Sequence, residues 1–132
     1  MAGITGIGGI FFLAKDAEGL KKWYNQSLGL TLNDWGGHTF LWQEAEAPFA
    51  AGRTEWSIMP DDTDYLQPSN KNFMINYRVD DLEAYLVALK AKGVTQVGEM
   101  ESYDYGKFAW IVDPEGQKIE LWEPIEAGFS GS

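Results

Sequence analysis

The chain states one structural plan twice. Phe12 recurs as Tyr77, Asp16 as Asp81 and Glu55 as Glu120, each pair 65 residues apart, and Gly29 recurs as Gly93 at a spacing of 64. Each half reads as an apolar strand, an aspartate, a helix, a glycine and further strands that end near a glutamate. A repeat of this kind signals two copies of one supersecondary unit, neither of which buries its apolar face alone. At about 60 residues a half is marginal by itself, so the halves are expected to share a core in one domain, 1–132.

Local signals set the bounds. Residues 4–14 read as a strand, although Gly6, Gly8 and Gly9 weaken its propensity. Asp16 is placed to cap a helix; Leu20, Trp23, Tyr24, Ser27 and Leu28 recur at helical spacing, and Gly29 stops it. Residues 31–35 and 39–44 flank Gly36-Gly37 as a hairpin, 45–53 is a loop and 55–59 a short strand. A polar stretch with Pro60 and Pro68 connects the halves. In the second half, residues 72–79 alternate as a strand, Asp80 and Glu83 form a capping box with Asp80 at the cap, and Leu82, Tyr85, Leu86 and Leu89 make a buried helical stripe ended by Gly93. Strands follow at 95–100, 107–112 and 118–122, the last two joined by an Asp113-Pro114-Glu115-Gly116 turn. Module one is therefore 4–60, the linker 61–71, module two 72–124 and a fraying tail 125–132.

Composition removes several function classes. With no cysteine, disulfides and thiolate chemistry are excluded. The net charge of −10 disfavours nucleic acid and anionic membrane surfaces. No basic segment precedes an apolar run, and the run from Gly8 to Ala14 is too short for a bilayer, so a cytoplasmic protein is expected. With His38 the sole histidine, a Ser-His-Asp arrangement has little support, and no glycine-rich phosphate loop is present.

Two βαβββ units with these landmarks resemble the vicinal oxygen chelate superfamily, which includes glyoxalase I, the extradiol dioxygenases and the fosfomycin and bleomycin resistance proteins. The matching residues are Asp16, Trp23-Tyr24, Leu28-Gly29-Leu30, Val79-Asp80-Asp81-Leu82, Lys92-Gly93-Val94, and Asp113-Pro114-Glu115-Gly116 through Ile119-Glu120-Leu121. The resemblance implies an α+β fold in which two tandem modules curl into half-barrels of one open mixed sheet, with helices outside and a ligand in the concave cleft. Metal-dependent members place a histidine on the first strand of each module and a carboxylate on the last. Those positions are Gly9 and Met74 for the histidines, and Glu55 and Glu120 for the carboxylates. Both glutamates are present and both histidines are missing.

Strand parity orients the candidates. Glu120 and Trp122 share a face opposite Ile119 and Leu121; Glu55 opposes Trp56; Met74, Asn76 and Arg78 share a face, as do Gly9 and Phe11. Transition metals want at least three imidazole, thiolate or carboxylate ligands, and methionine sulfur suits copper(I). No cofactor is therefore expected; Glu55 and Glu120 are weak candidates for a divalent ion such as Mg²⁺. His38 reads as a surface residue of the hairpin. Glu120 is either paired with Arg78 as architecture or a charge that meets a ligand. Trp23 and Tyr24 read as packing. Trp42, Trp110, Trp122 and Phe11 line an aromatic cleft or fill a core. The segment 103–106 is a rim, a lid or an ordinary loop.

The leading expectation is a metal-independent protein that sequesters an aromatic or cationic organic ligand, as bleomycin resistance proteins do, with two copies forming a homodimer. The alternative is a metal-dependent lyase, isomerase or dioxygenase with a degenerate site on Glu55 and Glu120, completed by His38 or a partner subunit. A third is an interaction module whose exposed aromatics serve dimerisation. As an enzyme, the chain would be lactoylglutathione-lyase-like or dioxygenase-like by this resemblance; as a binder it needs no catalytic group.

Overall fold

A computed structural model describes residues 2–33, 36–41 and 52–125. The element order is β1 (Ile4–Ala14), α1 (Ala17–Leu28), β2 (Gly37–Leu41), β3 (Arg53–Pro60), β4 (Phe73–Val79), α2 (Leu82–Ala91), β5 (Thr95–Gln96), β6 (Glu101–Tyr103), β7 (Gly106–Val112) and β8 (Lys118–Pro124). The eight strands form one open mixed sheet in the order β2-β3-β1-β4-β8-β7-β5, with β6 on β7. β1 runs parallel to β3 and β4 parallel to β8, while β1 and β4 meet antiparallel at the centre. The arrangement repeats across that central pair, as the duplicated sequence requires.

Capping chemistry starts and stops the helices. The Asp16 carboxylate accepts from Gly19 N at 3.0 Å, which satisfies one of the orphan donors of the first turn. Gly29 ends α1 with φ 74°, a conformation that an L side chain resists. In the second module the cap is Asp81, whose carboxylate accepts from Ala84 N at 3.2 Å. This corrects the capping box centred on Asp80. The Asp80 carboxylate accepts instead from Gly3 N at 2.9 Å and pins the start of β1. Glu123 on β8 accepts from Leu82 N at 2.8 Å, tying the helix start to the sheet.

Two strand expectations change. Residues 31–33 are not a strand, and Asn33 Oδ1 accepts from Gly37 N at 3.0 Å. Residues 34–35, 42–51 and 126–132, and with them Trp42, most of the 45–53 loop and most of the tail, lie outside the described residues. Of the strand expected over 95–100 only β5 at 95–96 forms; Gly98 then takes φ 72°, and β6 is a separate strand at 101–103. The Asp113–Gly116 turn forms, with Gly116 N donating to Asp113 O at 2.9 Å and Asp113 Oδ1 accepting from Glu115 N and Gln117 N, both at 2.9 Å.

The sheet has two differently used faces. On the convex face α2 covers Val79, Ala109, Leu121, Ile111 and Ile119, and Leu82 is fully buried there. At α1 the packing is aromatic: Tyr24 meets Trp56 at 4.9 Å and Phe12 at 6.4 Å between ring centres. Trp23 is half exposed, at 50%, so the packing expected of Trp23 and Tyr24 falls mainly to Tyr24. The concave face carries a second cluster of Leu66, Met74 and Trp110, with Phe11, Leu13, Met59 and Phe108 against it. Leu66 comes from the polar connector and is 1% exposed, so that segment contributes a core residue as well as a link. Among the described residues no helix is long and apolar enough to cross a membrane.

Candidate functional site

Strand register lines up one row of polar residues across the concave face. Thr39 pairs with Glu55, Glu55 with Gly9, Gly9 with Asn76, Asn76 with Glu120, and Glu120 with Trp110. The two repeat-related glutamates thus sit in the same row, separated by β1 and β4. A cavity of about 560 Å³ opens over this row. Glu55, Asn76 and Glu120 supply its polar groups, and Phe11, Met59, Tyr65, Phe108 and Trp122 its apolar walls. Its size lies within the range of small-molecule sites, as does its mix of many apolar atoms with a few convergent polar ones.

Glu120 is 2% exposed and fully engaged. Its Oε1 accepts from Asn76 Nδ2 at 2.7 Å, and its Oε2 accepts from Trp110 Nε1 at 2.9 Å and from the Tyr65 hydroxyl. These three donors compensate the burial of the carboxylate. The expected Arg78 partner is therefore replaced: the Arg78 guanidinium lies 5.4 Å from the centre of the Trp122 ring instead. Glu55 is half-buried and accepts from the Thr39 hydroxyl. Burial, followed by the negative charge of Glu120, drives the Tyr65 hydroxyl far above the usual tyrosine range, so it acts as a donor. Burial also pulls the Lys118 ammonium below the lysine range, an effect that Glu120 and Asp64 oppose. Lys118 Nζ donates to Tyr65 O at 2.5 Å and lies 5.1 Å from the centre of the Tyr65 ring, bracing the connector.

The aromatic walls have a definite geometry. Phe108 and Trp122 are stacked, 6.0 Å apart and 6° from parallel. Gly8 makes this possible. A register shift between Ile7 and Gly9 leaves Gly8 unpaired, and a Cβ there would stand 2.9 Å from Trp122 Cε3 and 2.3 Å from Asn76 Oδ1. Tyr105, in the β6–β7 turn, reaches the cavity rim, 5.9 Å from Phe108.

The structure therefore brings Phe11, Glu55, Asn76, Glu120 and Trp122 together around one cavity. Met74 and Trp110 lie in the packed cluster behind it, where Met74 is 0% exposed. Arg78 is buried beside Trp122 without lining the cavity. Sequence reasoning passed over Tyr65, Phe108, Met59 and Gly8. The apolar pair Tyr65-Leu66 inside a polar connector, and the Gly8-Gly9 pair inside a strand, were the signals available.

A metal of the kind the superfamily resemblance implies does not fit the described donors. Gly9 offers no side chain, and Met74 is sealed in an apolar cluster. His38 shares its face with Trp56 rather than Glu55, and its Nδ1 contacts Thr31 O at 2.7 Å. Among the described residues no three His, Cys, Asp or Glu side chains converge.

A family model described as "Glyoxalase-like domain" matches residues 9–122. The chain belongs to the glyoxalase-like family. It is thereby a member of the vicinal oxygen chelate superfamily, and solved structures share its fold. Methylmalonyl-CoA epimerase from Mycobacterium tuberculosis is 23% identical, with a TM-score of 0.59 over 92% of this chain and 89% of that one. A variant of the Streptomyces coelicolor methylmalonyl-CoA epimerase bound to 2-nitronate-propionyl-CoA is 16% identical, with a TM-score of 0.62 over 92% and 98%. A glyoxalase/bleomycin resistance protein/dioxygenase superfamily member from Vibrio splendidus 12B01 is 13% identical, with a TM-score of 0.52 over 90% and 97%. At these identities the likeness is one of fold. No curated protein sequence matches the chain.

Proposed function

We propose that this glyoxalase-like domain binds an aromatic or cationic organic molecule in the concave cavity, without a metal ion. The observation that carries this reading is the row Glu55–Gly9–Asn76–Glu120 beneath the stacked Phe108 and Trp122. Carboxylates favour a cation, the stacked rings favour a flat apolar body, and the positions that would carry histidines hold glycine and a buried methionine. Sequestration in the manner of the bleomycin resistance branch needs nothing further from the chain.

We further propose a cytoplasmic homodimer. The central strands support the dimer, because Ile4, Ile7, Ile10 and Phe73 are 38–49% exposed in one region of β1 and β4. Calorimetric titration with a panel of basic aromatic antibiotics, alongside light scattering, tests both parts. Saturable binding with tryptophan quenching is expected. No heat and no quenching across the panel overturns the ligand reading, and a monomer at all concentrations overturns the dimer.

A further inference from the structure

Asn76 is a polar side chain of the cavity with one hydrogen-bonding atom left over among the described residues. It is 2% exposed, and its Nδ2 is committed to Glu120 Oε1 at 2.7 Å. That bond fixes the amide orientation, because the carboxylate can only accept. The opposite atom, Asn76 Oδ1, is buried and has no hydrogen-bond partner among the described residues. It lies against Gly8 of the cavity wall, so close that a Cβ on Gly8 would stand 2.3 Å from it. A buried amide oxygen without a donor is costly, and such atoms are completed by an ordered water, an ion or a ligand.

The flanking groups define what would complete it. Asn76 lies in register between Gly9 and Glu120, and Gly9 in turn pairs with Glu55. All three side chains are oxygen acceptors towards the cavity. Glu120 already takes three donors, and one oxygen of Glu55 takes the Thr39 hydroxyl. A hard metal ion wants carboxylates that converge, whereas Glu55 and Glu120 stand on strands separated by β1 and β4, and no three acidic or imidazole side chains converge among the described residues. A protonated amine needs only a few acceptors and a negative surround, and its apolar body would lie against Phe11 and the stacked Phe108 and Trp122.

We propose that the cavity selects N–H-bearing ammonium ions, primary or secondary amines on an aromatic body, and that Asn76 Oδ1 is the acceptor that separates them from quaternary ammonium ions. This rests on the organic-cation reading above and names the class of cation. A quaternary ion keeps the charge and the ring contacts but has no N–H to give Asn76. A neutral amide has an N–H but no charge for Glu55 and Glu120.

Titration calorimetry with phenethylamine, its N,N,N-trimethyl derivative and N-acetylphenethylamine separates these contributions. Phenethylamine should bind about tenfold or more tightly than either relative, the margin of one charge-assisted hydrogen bond. In Asn76→Leu the ratio of primary to quaternary affinity should fall towards one, whereas Asn76→Asp, which keeps an acceptor, should retain it. If Asn76→Leu does not fold, the wild-type ratio decides alone. Equal wild-type affinity for the primary and quaternary amines, or an unchanged ratio in Asn76→Leu, overturns the inference and leaves the organic-cation reading standing. Absence of binding by all three, together with every antibiotic of the panel, overturns both.

Discussion

Glu120 shows how one residue at the cavity ties distant segments together. Its two oxygens hold three donors from three segments: Tyr65 on the connector, Asn76 on β4 and Trp110 on β7. In Glu120→Gln one acceptor oxygen becomes an NH₂ group, so with the Asn76 amide in its present orientation at least one of the Asn76 and Trp110 N–H groups faces another donor. Destabilisation of about 1–3 kcal/mol is expected in urea unfolding, the cost of a buried polar group left unmatched. Tyr65 gives a test through pH. Its folded-state pKa lies above the ordinary value of 10.0, so the folded protein holds the phenolic proton more tightly than the unfolded chain. The stabilisation is complete below pH 10.0 and is lost as pH rises beyond it. Tyr65→Phe should flatten that alkaline slope in unfolding curves collected from pH 8 to 11, and an unchanged slope would contradict the role given to Tyr65. The carboxylates of the site were legible from strand parity, since Glu120 and Trp122 alternate with Ile119 and Leu121. Tyr65 was not, because its position depends on a connector that folds back over Trp110 and no periodicity marks such a return.

At the scale of elements, the repeat carried more information than any single local signal. Asp80 and Asp81 are adjacent and both suit an N-cap, so the local pattern alone put the cap at Asp80. The pairing of Asp16 with Asp81 across the repeat pointed to the residue that caps α2 in the structure. Asp81→Ala should cost about 1 kcal/mol by loss of the cap, with helix α2 fraying detected by amide exchange at residues 82–85. Asp80→Ala should instead loosen the start of β1, where Gly3 N binds, and leave α2 exchange unchanged. A reversal of these two patterns would restore the capping box at Asp80. The split of β5 from β6 and the bulge at Gly8 were hidden for a related reason. Each depends on how a neighbouring strand runs, and glycines in a strand signal irregularity without saying which way it bends.

For the whole molecule, duplication sets the architecture and the chemistry departs from it. The sheet continues from β2 to β5 through the antiparallel pair of β1 and β4, so residues 1–132 are proposed to act as one domain with a single unfolding transition. Within that symmetry the glutamates recur, yet Gly9 and Met74 differ in kind: Gly9 lies under the Phe11 ring, which an added Cβ would meet at 2.8 Å, and Met74 fills a core. The aromatic walls come from both halves, Phe11 from the first and Phe108 and Trp122 from the second. Tryptophan positions were readable in the sequence, but the division between the packed Trp110 and the cavity-facing Trp122 follows from side-chain packing that alternation cannot resolve. The most direct test of an organic-cation site that works without metal is one calorimetric titration. Protein freed of divalent ions by exhaustive chelation is titrated with phenethylamine, then again after saturation with Zn²⁺, Ni²⁺ or Mn²⁺. Saturable binding of equal affinity in both states is expected. Binding that appears only after metal is restored, with one ion retained per chain and lost in Glu120→Gln, would contradict it.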